Sequence, residues 1–495
     1  MIDCIHPLSC VMTETLESSA TTACHNALMI FDLPVEILNL ICLHAEREEL
    51  KALRLVNSIV SSSATQSLFE TIDISPSSFS FDRAHNVVAQ EHLRHHVKSL
   101  VYHFGVLGDY YAGFDEFKHE YFQTRRPGET RDPSEVTAEV LWCYSCWLEE
   151  LDGQRTFDIQ DEQSELRLLC EKMPNLEAVY TLMDDCDNYA DPQDYIGKRT
   201  GMVAAEDESD RRFANVFRAT GQRALKKISA RSIQWRDLVD ITDDLPPDFQ
   251  ARMRRLYYLE LGLYNVFEEV EDENGYTCDH LEALDRILSA ATNVRTLKLD
   301  FDELPLESES ERMMPISNAI FSHQWQDLRE LKLEALCADE DLFINFLSGL
   351  GRSLRKLQLG DIELIRSRKE HDCANILSFF RTLRETLRLE SAKLTGNFTN
   401  RHDQAWYVDI EIEDHSCFRE QLQHYLCHNT SKSTYPDIAY WPHMTDNTTV
   451  FRLDDSLRDN SALYQEICCD NSWYWCPELL ETEDFELAFG NQLEG

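Results

Sequence analysis

Two short constellations in this 495-residue chain carry residue types at spacings that chemistry uses. Cys143-x-x-Cys146 has the separation of a redox dithiol or of half a zinc site. No second CxxC stands at zinc-ribbon distance, and the pair falls inside an apolar-periodic stretch, residues 135–151. There Val136, Val140, Trp147 and Leu151 lie on or near one helical face, so both cysteines read as ordinary helix residues. Glu91-His92-x-x-His95-His96 places His92 and His96 four residues apart, within reach of one metal on a shared helix face. The order is not HExxH, and the run leads straight into a strand candidate at Val97. A solvated helix end, where the dipole favours histidine, is the simpler reading. Cys468, Cys469 and Cys476 stand among Trp473, Tyr474 and Trp475, which suits apolar packing. No GxxxxGK(S/T) or GxGxxG occurs, so nucleotide binding has no motif behind it. The expected site therefore holds no catalytic residue, no metal ligand and no cofactor.

Cationic groups are scarcer. Arg252, Arg254 and Arg255 precede one strand candidate, Lys226 and Lys227 lie in another, and Arg366, Arg368 and Lys369 follow a third. Such groups pair with phosphates on a target, or they neutralise an acidic surface locally. The second reading fits a chain with 47 Lys+Arg against 89 Asp+Glu and a formal charge of -42. That balance argues against nucleic acid and anionic membrane as partners, since both need a basic footprint. The first thirty residues carry no basic n-region, and no apolar run reaches membrane-spanning length. Sixteen cysteines are then expected as reduced thiols in a cytoplasmic or nuclear protein.

What must position any site begins at residues 31–74. Residues 1–29, rich in Ser and Thr, are expected to be a disordered tail. Pro34 suits a helix start, and Asp32 and Glu36 place negative charge at its positive dipole end. Ile37, Leu38 and Ile41 share one face. Leu50, Leu53, Val56 and Val60 make a second apolar stripe, and Ala64, Leu68 and Phe69 a third, with an extended exit at Ile72 and Ile74. So small a unit cannot bury all of these residues, which leaves some to face a partner or the next domain.

The motifs Leu33-Pro34-x-Glu36-Ile37-Leu38-x-x-Ile41, Leu53-Arg54-Leu55-Val56-Asn57 and Leu68-Phe69-x-x-Ile72 follow one another in this stretch. They resemble the F-box, the three-helix module by which substrate receptors dock onto the Skp adaptor of Skp-cullin-F-box ubiquitin ligases. The resemblance implies adaptor binding by Leu33, Pro34, Glu36, Ile37, Leu38, Ile41, Leu53, Val56 and Leu68. Through the adaptor it implies a cullin.

Further along, a unit of the form apolar-x-x-apolar-x-apolar recurs. Clear copies are centred on Leu259, Leu297, Leu331 and Leu357, at steps of 38, 34 and 26 residues. Weaker ones are centred on Leu100, Val179 and Ile228, and 383–389 shows the pattern with one residue inserted. Each apolar pair suits a short strand with one buried face. Helices are expected between them near 280–291, with Leu281, Leu284 and Leu288 inward, near 341–350, with Leu342, Phe346 and Leu350, and near 372–383, with Ile376, Phe379, Phe380 and Leu383. Segments 126–134, 196–212, 268–279 and 302–315 read as loops. The alternation looks like divergent leucine-rich repeats, although the usual Asn or Cys slot holds Tyr264, Asp302, Leu336 and Ile362.

The expected fold class is α/β: an F-box-like helical unit, an irregular solenoid of short parallel strands and helices over 81–403, and a cap region over 404–495. In that cap 406–412 reads as a strand, 417–427 as a helix and 464–489 as a packed end. The expected function is the non-catalytic substrate receptor of a ubiquitin ligase, with the repeats holding a protein target. Its rivals are a leucine-rich interaction scaffold that recruits no ligase and a metal-dependent enzyme.

Overall fold

The computed structural model describes residues 33–103, 137–157, 159–182, 212–221, 223–243, 248–264, 278–301, 310–365 and 376–400. Short pieces at 106–107, 113–115, 117–118, 202–203, 405–407, 422–423, 425–427, 443–445 and 448–450 are described as well. The tail at 1–29, the loop at 126–134, most of 268–279, Asp302, Arg366, Arg368, Lys369 and the 464–489 end lie outside the described residues. The chain divides into two compact units, Met1–Glu70 and Thr71–Gly495.

The first unit contains α1 (Val35–His44), α2 (Arg47–Leu53) and α3 (Ser58–Leu68). Pro34 precedes α1, and its carbonyl accepts from the Ile37 and Leu38 N–H groups at 3.0 and 3.1 Å. Glu46 and Glu49 form a capping box at the start of α2. Asn57 starts α3, its side-chain oxygen accepting from the Ile59 and Val60 N–H groups at 2.9 Å each. That cap corrects the second expected stripe: α2 ends at Leu53, Val56 lies in the turn, and Val60 belongs to α3. Cys42, Leu50 and Ala64 form the core, with Leu53 and Leu68 partly packed on it.

The second unit is mixed α/β around a ten-stranded, mostly parallel sheet. Its strands are β1 (Thr71–Ile74), β2 (Ser99–His103), β3 (Ala178–Leu182), β4 (Lys227–Gln234), β5 (Tyr258–Tyr264), β6 (Thr296–Asp300), β7 (Glu330–Asp339), β8 (Lys356–Ile365), β9 (Ser391–Asn400) and β10 (Ala405–Tyr407). They lie side by side in chain order, and only β10 runs antiparallel to its neighbour within this sheet. Parallel neighbours require crossovers, and helices supply them: α4 (Ser78–Ala89), α5 (Glu91–Arg94), α6 (Thr137–Thr156), α7 (Ile159–Lys172), α8 (Arg212–Ala219), α9 (Trp235–Asp243), α10 (Phe249–Met253), α11 (Cys278–Ala290), α12 (Ser310–Phe321), α13 (Glu340–Leu350) and α14 (Ile376–Thr386).

The recurring apolar unit sets the register. Leu100, Val179, Ile228, Leu259, Leu297, Leu331 and Leu357 pair strand to strand as one column. Ile72 extends that column in β1 and Ala392 in β9. A second column follows two residues on, from Tyr102 through Leu359 to Leu394, and the leading residues from Val97 to Leu354 are buried as well. A fully buried leucine contributes about 1.5–3 kcal/mol, so these columns dominate the core. The copy expected at 383–389 is displaced: Leu383 is on α14, and the strand unit is Leu389-x-x-Ala392-x-Leu394. Its small central alanine hid it.

A backbone fork marks each parallel junction from β2 to β9. Lys98 O accepts from the Glu177 and Ala178 N–H groups, and Glu177 O from those of Lys226 and Lys227. The same fork recurs at Lys226, Tyr257, Arg295, Arg329 and Arg355. At two junctions a side-chain amide assists: Asn175 donates to His95 O at 2.7 Å and Asn293 to Arg254 O at 2.8 Å. These amides precede the leading apolar residue, away from the slot where one was expected; Leu336 and Ile362 in that slot are buried.

Helix faces differ in detail from the sequence pattern. On α13 the buried face is Phe343, Phe346, Leu347 and Leu350, and Leu342 is exposed. Helix α12 begins at Ser310, so the last residues expected as loop in 302–315 are helical. Phe343 stacks between Phe321 at 4.9 Å and Phe379 at 5.4 Å, which continues through Phe380 to Phe398 on β9. Helix α6 builds a smaller separate core from Phe117, Val140, Cys143, Trp147 and Leu151. Leu422, Tyr425 and Leu426 from the expected cap region are buried in the main core.

Candidate interaction surfaces

The first candidate surface is on the helical unit. Helix α1 is two-sided: Leu38 and Cys42 are buried, whereas Ile37 and Ile41 are 42% and 38% exposed, with Leu40 and Leu43 exposed beside them. The turn into α3 adds Leu55 at 88%, Val56 at 47% and the exposed Ile59. Of the residues expected to bind an adaptor, Pro34, Glu36, Ile37, Ile41 and Val56 are exposed, and Leu33, Leu53 and Leu68 are half-buried. Leu38 is 1% exposed and has no surface to offer a partner, because its position on α1 is the inward one. Leu40, Leu43 and Ile59 were missed; the signal for the first two was α1's apolar residues on two faces, more than one inward stripe needs, whereas Ile59 lies on α3.

The second surface is the polar face of the sheet. Between the apolar columns, the outward register positions from β4 to β9 carry Lys227, Lys298, Lys332, Lys356 and Lys393, and also Glu260, Asp300, Glu330 and Glu334, with Arg231 at the register break of β4. Glu260 accepts from Ser229 Oγ at 2.7 Å, Tyr258 OH at 2.5 Å and Arg231 Nε at 3.0 Å. Burial pushes its pKa up, but the bonds from Tyr258 and Ser229 and the Arg231 charge outweigh that and hold it below the usual range. Asp300 and Glu334 are direct cross-strand partners. Lys332 Nζ lies 3.2 Å from Asp300 and 2.5 Å from Glu334, and Gln358 donates to Glu334 at 2.8 Å. Burial, and then the facing Asp300 carboxyl, raise the Glu334 pKa.

The constellations singled out for chemistry are scattered. His92 and His95 are exposed on or just after the single-turn α5. Cys143 is buried beside Trp147, and burial followed by Glu149 raises the Cys146 thiol pKa, so Cys146 is a protonated thiol at neutral pH. Among the described residues no group of three or more His, Cys, Asp or Glu converges on a metal position. Lys226 pairs with Glu177 at 2.6 Å, and Arg252 packs over the Phe217 ring at 5.7 Å. A cavity of about 230 Å³ is lined by Arg167, Cys170, Glu171, Arg218, Ala219 and Arg223. Arg223 there donates to the Cys170 and Glu171 carbonyls, satisfying the end of α7. Among the described residues no helix is long and apolar enough to cross a membrane.

No family model matches the chain, and no curated protein matches it.

Proposed function

We propose that the chain is a non-catalytic substrate receptor of a Skp-cullin-F-box type ubiquitin ligase. The helical unit docks on the Skp adaptor, and the repeat-bearing unit, read as divergent leucine-rich repeats, holds a protein target. The observation that carries this reading is the number of apolar residues the helical unit leaves exposed: Ile37 and Ile41 on α1, and Leu55 and Val56 in the turn before α3. A surface of that kind on a small polar unit is stabilised by a partner that removes it from water, at about 25 cal/mol per Å² of apolar area. Catalysis is by proximity: holding the target beside a ubiquitin-loaded enzyme raises its effective concentration while the bond chemistry belongs to other subunits.

The test is capture of purified Skp adaptor by the intact chain and by the double variant Leu33→Ala, Pro34→Ala. The variant is expected to lose capture while keeping its circular dichroism and melting temperature. Capture unchanged by the double substitution would overturn the docking assignment.

A further inference from the structure

Three arginines line one cavity in a chain whose formal charge is -42. Arg167 stands on α7, Arg218 on α8, and Arg223 shortly after α8 ends. The same cavity holds one acid, Glu171, beside Cys170 and Ala219. Burial pushes the Cys170 thiol up to about 12, so it brings no negative charge at neutral pH. We infer that this cavity binds the phosphate group of a phosphate monoester, a role that stands independently of the receptor reading.

The fold does not use up these arginines. Arg223 donates from Nε and Nη2 to the Cys170 and Glu171 carbonyls at 2.9 and 2.6 Å, which leaves Nη1 uncommitted. Arg218 donates from Nη2 to the Asp240 carbonyl at 2.5 Å and holds its Nε buried without a partner among the described residues. A buried donor is costly to leave unpaired, so the fold's own bonds do not account for where this guanidinium sits. Arg167 is exposed and makes no hydrogen bond or ion pair among the described residues. None of the three arginines has a carboxylate partner there, and all keep their full charge.

The leftover donors select the ligand. They come from three separate positions, more than the two oxygens of a planar carboxylate take up at once. A phosphate monoester brings three terminal oxygens and close to two negative charges at neutral pH, and guanidinium forks match its geometry. The cavity of about 230 Å³ exceeds the roughly 30 Å³ share of one water in the liquid several times over, which is room for a phosphate and the first atoms of its ester. Glu171 is exposed, so water screens its repulsion without removing it. The acidity of the rest of the chain matters less, because at physiological salt the Debye length is about 8 Å and the nearest charges decide.

The experiment titrates the intact chain by calorimetry, at fixed ionic strength, with inorganic phosphate, phenyl phosphate, acetate, and a phosphoserine peptide beside its serine counterpart. Phosphate and phenyl phosphate are expected to saturate one site, and acetate to bind at least about tenfold more weakly. Arg167→Gln should weaken phenyl phosphate about tenfold, and Arg218→Lys, which keeps the charge but removes the fork, by a similar factor. Glu171→Gln should tighten it severalfold. If Arg218→Lys melts early, Arg167→Gln decides alone, because that side chain is exposed and holds nothing in the fold. A phosphopeptide bound more tightly than its serine counterpart, and weakened by Arg167→Gln, assigns the phosphate to a partner's modified side chain. Phenyl phosphate bound while the two peptides behave alike assigns it to a small phosphorylated molecule, and either result upholds the site. The inference is overturned by acetate binding as tightly as phosphate, by affinities that Arg167→Gln leaves unchanged, by a Glu171→Gln variant that binds no better, or by no saturable binding of any phosphate probe.

Discussion

At the scale of single residues, backbone strain concentrates where the long strands kink. Ala335, Asp361 and Gly396 have φ of 53, 48 and 64°, each just after the last regularly paired residue of β7, β8 or β9. A Cβ at Gly396 would stand 2.3 Å from the Asp361 carboxylate. Gly396→Ala combines that clash with the left-handed backbone, and a loss of about 1–3 kcal/mol is expected in chemical denaturation. The facing carboxyls predict a pH effect. The Glu334 pKa is raised above the ordinary 4.5, so the stability it contributes is full below that value and is lost as pH rises through the raised one. Glu334→Gln keeps the neutral form at every pH. Relative to the parent, its melting temperature should therefore rise between pH 4.5 and 8; a difference that stays flat would contradict the carboxyl opposition.

At the scale of elements, the parallel strands were legible because their signal is local and repeated. A leading leucine and two alternating apolar residues require no knowledge of the partner strand to be read. Ala392 broke the reading because an alanine at a column position looks no different from one in a loop. The α2–α3 boundary was missed for another reason: Val56 and Val60 continue the spacing of Leu50 and Leu53, and only the Asn57 side chain decides that the helix restarts. Asn57→Ala should accordingly cost about 1 kcal/mol in the helical unit, within a range of about 0.5–2, measured by thermal unfolding followed by circular dichroism. The α1 surface was half legible. The sequence counts too many apolar residues for the unit, but which of Ile37, Leu38 and Ile41 turns inward depends on how α3 packs. The polar face was not legible, because register alone brings Asp300 to Glu334 and Glu260 between Ser229 and Lys298.

For the whole molecule, the backbone forks make each stretch between two junctions a replaceable length of chain. Tyr257 O grips the Arg295 and Thr296 N–H groups, and Arg295 O grips those of Arg329 and Glu330. Excising 296–329 joins Arg295 to Glu330, so the same two-pronged grip re-forms one place along and every later column keeps its alignment. Such a shortened protein is expected to melt cooperatively at a lower temperature, whereas excising 296–320, which stops short of a junction, should leave a chain that does not. Length in this molecule is thus quantised: evolution or an engineer can add or remove whole rungs, and with them the width of the sheet, without redesigning the rungs on either side.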